Sequence, residues 1–277
     1  MITGEKSLGH RWLPSAFVLA TLATILGLAS LVHRTVRLDP PGPQLVLVEL
    51  FTSEGCLSCP PADKLLLTLA AEQPVSGALI VPLSQHVDYW NSVWTDPFSS
   101  SVFTDRQMSY HRALKPDAAY TPQMVVDGRF QLVGSRNEVA QEVIAKAART
   151  PKAIVQLRLG QATLDNTVFI HVGLEATDKS VAGGEAELWI AMTEGGLVTR
   201  VERGENAFRS LRHPPVVREL NAIETLRWPV TRRTVIEATV KLDSSWNRSK
   251  LRIVAVLQDS TSRRILGVSQ TEIGQLE

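Results

Sequence analysis

Residues 49–70 read ELFTSEGCLSCPPADKLLLTLA and hold both cysteines of the 277-residue chain, Cys56 and Cys59, two residues apart. Just upstream, QLVLVELF (44–51) is an unbroken apolar run with β-branched residues, the pattern of a strand buried on both faces. Just downstream, SCPPADKLLLTLAAEQ (58–73) reads as a helix, with Pro60 and Pro61 in the first turn, where missing N–H groups cost little. The cysteines therefore fall between a buried strand and a helix start. Free N–H groups and the helix dipole at such a place favour a thiolate. The spacing predicts an exposed, attacking Cys56 and a more buried Cys59 that resolves a mixed disulfide.

Other uses of the pair fit less well. As a staple, so short a loop contributes about 2 kcal/mol, against about 3 kcal/mol for a fifteen-residue loop. A closed zinc site needs four ligands, and no second Cys-x-x-Cys or His-x-His partner is nearby. His86, Asp88 and His111 fall on separate elements. Two alternatives stay open: a soft-metal module in which Cys56, Cys59 and His86 bind an ion such as Cu(I), and a structural interaction protein of the envelope.

Outward from the cysteines, strand and helix patterns alternate. ALIVPLSQHV (78–87) reads as a strand, SSSVFTDRQMSYHRAL (99–114) as a helix, and PQMVVDGRFQLVG (122–134) as two strands joined at Asp127-Gly128. A last helix is expected to open at Ser135, with Glu138 completing a capping box. After Thr150-Pro151 the period becomes two. VFIHVGLEA (168–176) sets Val168, Ile170, Val172 and Leu174 on one face, and TVIEATVKL (234–242) does the same with Ile236, Ala238, Val240 and Leu242. AELWIAM (186–192) and LRIVAVLQD (251–259) add strands, with turn signals at Gly183-Gly184 and Gly195-Gly196. The pattern predicts an α/β domain over 44–150 and an all-β, sandwich-like domain over 151–277.

The N-terminal part, 1–43, is different. LPSAFVLATLATILGLASLV (13–32) is uncharged, about long enough to cross a bilayer, and preceded by Lys6, His10 and Arg11. Its length favours an uncleaved transmembrane anchor in the inner membrane with periplasmic domains. Gly27-Leu28-Ala29 offers a cleavage site that would instead release a periplasmic or secreted product. With 29 Lys and Arg against 28 Asp and Glu, the chain has no field to attract nucleic acid, which is not expected as a partner.

Five separated motifs carry a family resemblance: VELFTSEGCLSCPPAD (48–63), HVDYW (86–90), DRQMSY (105–110), YTPQMVVDG (120–128) and RGENAFRSLRHPPVVREL (203–220). Over roughly 44–267 the chain resembles the bacterial family of exported, thioredoxin-like proteins described as domain of unknown function 1223. The resemblance implies a thioredoxin-like α/β domain followed by a β-rich domain, and it brings no substrate. Within the wider superfamily, Thr121-Pro122 matches the cis-proline that faces the disulfide and presents backbone to a substrate chain. Glu49 falls near the buried acid that moves a proton beneath the resolving thiol. Leu57-Ser58 replaces the Gly-Pro of thioredoxin itself and Gly55 its tryptophan, so neither potential nor direction of electron flow transfers.

A second candidate surface is QHVDYWNSVWTDPFS (85–99). His86, Asp88, Tyr89, Trp90, Asn91 and Trp94 leave the end of a central strand, where open α/β sheets place ligands. With Thr121, the residues His86, Asp88 and Trp90 are candidates for holding a substrate; the alternative is a loop whose tryptophans cover the core. RGENAFRSL (203–211) reads as a solvated turn. The expectation is an exported thiol–disulfide oxidoreductase acting through Cys56, Cys59, Glu49 and Pro122. It needs no cofactor, acts on protein or small thiol and disulfide substrates, and has a redox partner in the envelope.

Overall fold

The computed structural model describes residues 42–163, 165–177 and 183–274. The apolar run 13–32 lies outside the described residues. Among those described, no helix is long and apolar enough to cross a membrane.

Strand β1 (Gln44–Thr52) is buried from Val46 to Thr52. On one face Val46, Val48 and Leu50 pack under helices α1 (Pro60–Glu72) and α3 (Asn137–Ala148). On the other, Leu47 meets Phe103 and Phe51 meets Tyr110, both from α2 (Ser101–Leu114). Helices on both sides are the reason the run has no polar alternation. Parallel to β1 runs β2 (Ala78–His86), with Thr52 opposite His86. On its other edge lie β3 (Gln123–Val126), antiparallel, and then β4 (Phe130–Val133). Asp127 and Gly128 both take left-handed φ, 49° and 62°, as the tight hairpin turn requires.

Past Thr150 follow β5 (Ile154–Ala162), β6 (Thr167–Glu175), β7 (Gly184–Glu194), β8 (Val198–Arg200), β9 (Ser210–Arg212), β10 (Val216–Trp228), β11 (Thr234–Lys241), β12 (Leu251–Asp259) and β13 (Ile265–Glu272). Here the expected fold class fails. The chain does not form an α/β thioredoxin-like domain followed by a separate all-β sandwich. Four of the later strands extend the first sheet into one mixed sheet of eight, in the order β13-β12-β7-β10-β2-β1-β3-β4. Strands outnumber helices thirteen to three among the described residues, apart from a single 3-10 turn at Arg248–Lys250. The joint is narrow: Val216 of β10 stands beside Ser84 of β2, and Ser84 N donates to Pro215 O at 2.9 Å. A strand buried on both faces cannot leave its edge groups unpaired, and β10 supplies partners that periodicity alone does not reveal.

A three-stranded sheet, β11-β6-β5, lies over one face of the large one, and β8 and β9 pair by themselves. Val168, Ile170, Val172 and Leu174 of β6 pack against Ala186, Leu188, Ile190 and Met192 of β7 and alternate residues of β12. The intervening residues Ala191, Val254 and Val256 join Leu47, Val81, Leu83 and Phe103 on the opposite face. The same two strands thus serve both cores. Helix α3 also starts later than expected: Arg136 is its N-cap with no side-chain bond, because Ser135 belongs to the turn in which Arg136 N donates to Val133 O.

Candidate functional site at the Cys56–Cys59 turn

Past Thr52 the backbone folds into two consecutive turns, Cys56 N to Ser53 O and Cys59 N to Cys56 O, each at 3.2 Å. Cys56 and Cys59 are joined as a disulfide, with Cα atoms 5.5 Å apart. Cys59 is the N-cap of α1, its carbonyl accepting from Ala62 N and Asp63 N at 2.8 and 3.1 Å. Cys56 therefore precedes the helix by one turn and Cys59 begins it. Both are covered, at 1% and 0% exposure, so Cys56 is not the open thiol that the spacing predicts. Only Leu57 and Ser58 between them reach solvent. Ser58 Oγ lies 3.3 Å from Cys56 Sγ and, with the sulfur bonded to its neighbour, is the donor.

Beneath the turn is a buried polar cluster. Thr52 and His86 end adjacent parallel strands and, by alternation, face α1. Thr52 Oγ1 donates to Asp63 Oδ2 at 3.2 Å, while Asp63 Oδ1 has no hydrogen-bond partner. Burial lifts the Asp63 carboxyl to about 6, against the pull of His86 and His213. His86 Nδ1 meets Asp96 Oδ2 at 2.7 Å. Burial opposes charge on both, yet their mutual attraction wins, raising the imidazole's pKa and lowering the carboxyl's. His213, from the segment after β9, puts Nε2 3.2 Å from Thr199 Oγ1 and 3.0 Å from Glu54 Oε1. The two imidazoles stack edge-on with centroids 5.2 Å apart. A carboxyl whose pKa is lifted to about 6, one turn after Cys59, can take or give a proton there.

The segment 85–99 folds over this turn. Trp90 donates to Thr121 Oγ1 at 2.9 Å, and a Cβ on Gly55 would fall 3.2 Å from that of Trp90, so no larger residue fits comfortably there. Trp94 Nε1 donates to Glu54 Oε2 at 2.7 Å. Asp88 instead bonds Thr104 of α2, its Oδ1 accepting from the hydroxyl at 2.6 Å. The Thr121-Pro122 peptide is cis. His86, Trp90 and Thr121 thus gather about the turn, while Asp88 serves the helix. Among the described residues no group of three His, Cys, Asp or Glu side chains is set to hold a metal ion.

Glu49 is elsewhere. It faces α2, not α1, with Oε1 accepting from Arg106 Nε at 2.5 Å and Gln85 Nε2 at 2.8 Å, and Oε2 from the Tyr110 hydroxyl. Gln258 of β12 completes this network through Arg106 and Tyr110.

Segment 203–209, read as a solvated turn, also lies on the cysteines. Asn206, fully buried, donates from Nδ2 to Glu54 O and Cys56 O, both at 2.9 Å, and Glu205 Oε2 accepts from Leu57 N at 2.9 Å. Sequence reasoning missed Asn206, His213, Glu54, Asp96 and Asp63. Glu54, Asp63, Asn206 and His213 stand inside the motifs quoted above, and Asp63 left a further signal, an acid on the same stripe as Cys59 and Leu66, where an apolar residue is the norm.

A single mixed sheet whose central strand leads into a disulfide at a helix N-cap defines the class of protein. The family model described as protein of unknown function (DUF1223) matches residues 47–258, and the chain belongs to that family. Two solved structures share the fold. Protein AGR_C_4864 from Agrobacterium tumefaciens is 24% identical over 86% of this chain and 98% of its own, with a TM-score of 0.64. HBP35 of Porphyromonas gingivalis is 15% identical over 86% of this chain and 78% of its own, with a TM-score of 0.65. No curated protein matches.

Proposed function

We propose that the protein is an exported thiol–disulfide exchange protein of the envelope, acting on protein or small thiol substrates through Cys56 and Cys59. The observation that carries the reading is the disulfide itself, placed at the start of α1 with the buried Asp63 one turn beyond it. The uncharged run 13–32 supports export and a membrane anchor. In the oxidising direction a substrate thiolate attacks Cys56 Sγ, the Cys56–Cys59 bond breaks, and Cys59 leaves as a thiolate that takes the Asp63 proton. A second substrate thiolate then attacks the substrate sulfur of the mixed disulfide and releases Cys56. The substrate gains a disulfide and the protein two electrons. In reverse, the Asp63 carboxylate accepts the Cys59 proton as Cys59 attacks. Glu49, locked by Arg106 on the far face of the sheet, supports the fold in this scheme rather than the proton step.

Cys59→Ser should trap substrates on Cys56 as adducts that a reductant releases, and Cys56→Ser should trap none. Gels of envelope extracts run with and without reductant read this out. Absence of adducts from the Cys59→Ser protein, in extracts where a known exchange protein forms them, would sink the proposal.

A further inference from the structure

A sulfur attacking Cys56 must approach along the extension of the Cys56–Cys59 bond, yet Cys56 is 1% exposed. Segment 203–209 reaches Cys56 itself and a residue on either side of it, Glu54 and Leu57. Glu205 holds Leu57 N, and Asn206 holds the carbonyls of Glu54 and Cys56. These bonds join residues roughly 150 positions apart, so nothing local requires them.

The rest of the segment is a hairpin stem whose tip rests on the cysteine turn. Val198, Thr199 and Arg200 pair with Arg212, Leu211 and Ser210. Above them Val201 N donates to Arg209 O and Phe208 N to Val201 O. Gly204, at φ +84°, lies so close to segment 85–99 that a Cβ would meet Val93 Cγ1 at 3.0 Å. Phe208 points outward at 77% exposure. The three hydrogen bonds at the tip are separate from those that hold the stem.

We infer that segment 203–209 is a latch over Cys56, that Glu205 and Asn206 are the residues that fasten it, and that its release admits the attacking sulfur. Glu205 occupies the Leu57 N–H that an extended substrate chain would otherwise take, so the closed latch excludes both the sulfur and the backbone behind it. The biological use of the latch rests on the exchange reading above, but its action on the disulfide does not.

Dithiothreitol tests the latch directly. One of its thiolates attacks Cys56, Cys59 leaves and is protonated, and the second thiolate closes the cyclic dithiothreitol disulfide, reducing the protein by two electrons. In the full chain, Glu205→Ala should raise the reduction rate by about 2- to 10-fold, the effect of one hydrogen bond, and Asn206→Ala by more. Reoxidation by the cyclic disulfide should accelerate by the same factor, leaving the reduction potential unchanged. That pairing separates a latch from residues that merely stabilise the oxidised form, which would shift the potential. Unchanged rates, or a potential that moves by the whole rate factor, would overturn the inference. Should Asn206→Ala fail to fold, Glu205→Ala decides by the same readouts, because its contact is at the surface. Failed trapping with a confirmed latch counts against exchange alone. Successful trapping with unchanged reduction rates counts against the latch alone.

Discussion

Asp63 is a buried carboxyl with one hydrogen-bond donor, the Thr52 hydroxyl, and an unpartnered second oxygen. Burial raises its pKa from 3.8 to about 6, worth on the order of 3 kcal/mol. The neutral acid is the form that the fold prefers. Its contribution is therefore complete below about pH 3.8 and is lost as pH rises through about 6. Asp63→Asn, neutral throughout, should melt near the wild type at pH 4 and above it at pH 7.5. Thermal unfolding of the two proteins at both values checks this, and a gap that narrows towards high pH would contradict the assignment. The cysteines were legible at this scale because their spacing is a local pattern. His213 and Asn206 were not, since a histidine or asparagine in a polar loop says nothing of the 150-residue return that buries it.

At the scale of elements, β1, α1, β6 and β11 could be read directly, because each carries its environment in its own period. Val168, Ile170, Val172 and Leu174 are all buried, and Val235 on the other face of β11 is exposed. The turn at Asp127-Gly128 was legible for the same reason, but its tertiary duty was not. Asp127 Oδ1 accepts from Leu47 N at 2.9 Å and Oδ2 pairs with Lys152 at 2.7 Å, while its carbonyl accepts from Ile265 N. Gly128 lies so near the turn that leads from β12 into β13 that a Cβ would fall 1.9 Å from Arg263 O. Gly128→Ala should destabilise the protein by about 2 kcal/mol or more, the combined effect of a left-handed φ and a backbone clash. Denaturant unfolding should show a lower midpoint with an unchanged slope. A cost of a few tenths of a kcal/mol would mean that the β3-β4 turn is free of β13.

Across the whole molecule, periodicity finds strands but does not assign them to sheets, and there the expected architecture failed. The change of pattern after Thr150 is real, yet β10 returns to lie beside β2, and Gln258 of β12 reaches Arg106 and Tyr110. A fragment covering 44–150 would uncover the β2 edge at Ser84 and the apolar face of Leu47, Val81, Leu83 and Phe103. It should lack cooperative unfolding and self-associate, as light scattering and thermal melts would report; a monomeric fragment with a sharp melt would restore an independent first domain.

The narrow joint between β2 and β10 also sets a timetable. Gln73, at the end of α1, already covers part of the β2 edge, its amide bonding both N and O of Ile80. Ser84 has no such local cover and waits for Pro215, about 130 positions later. At a synthesis rate of about 5–20 residues per second, that interval lasts on the order of ten seconds. For that time a nascent chain carries an open strand edge beside an unfilled apolar face, and a holding chaperone would have its binding site there.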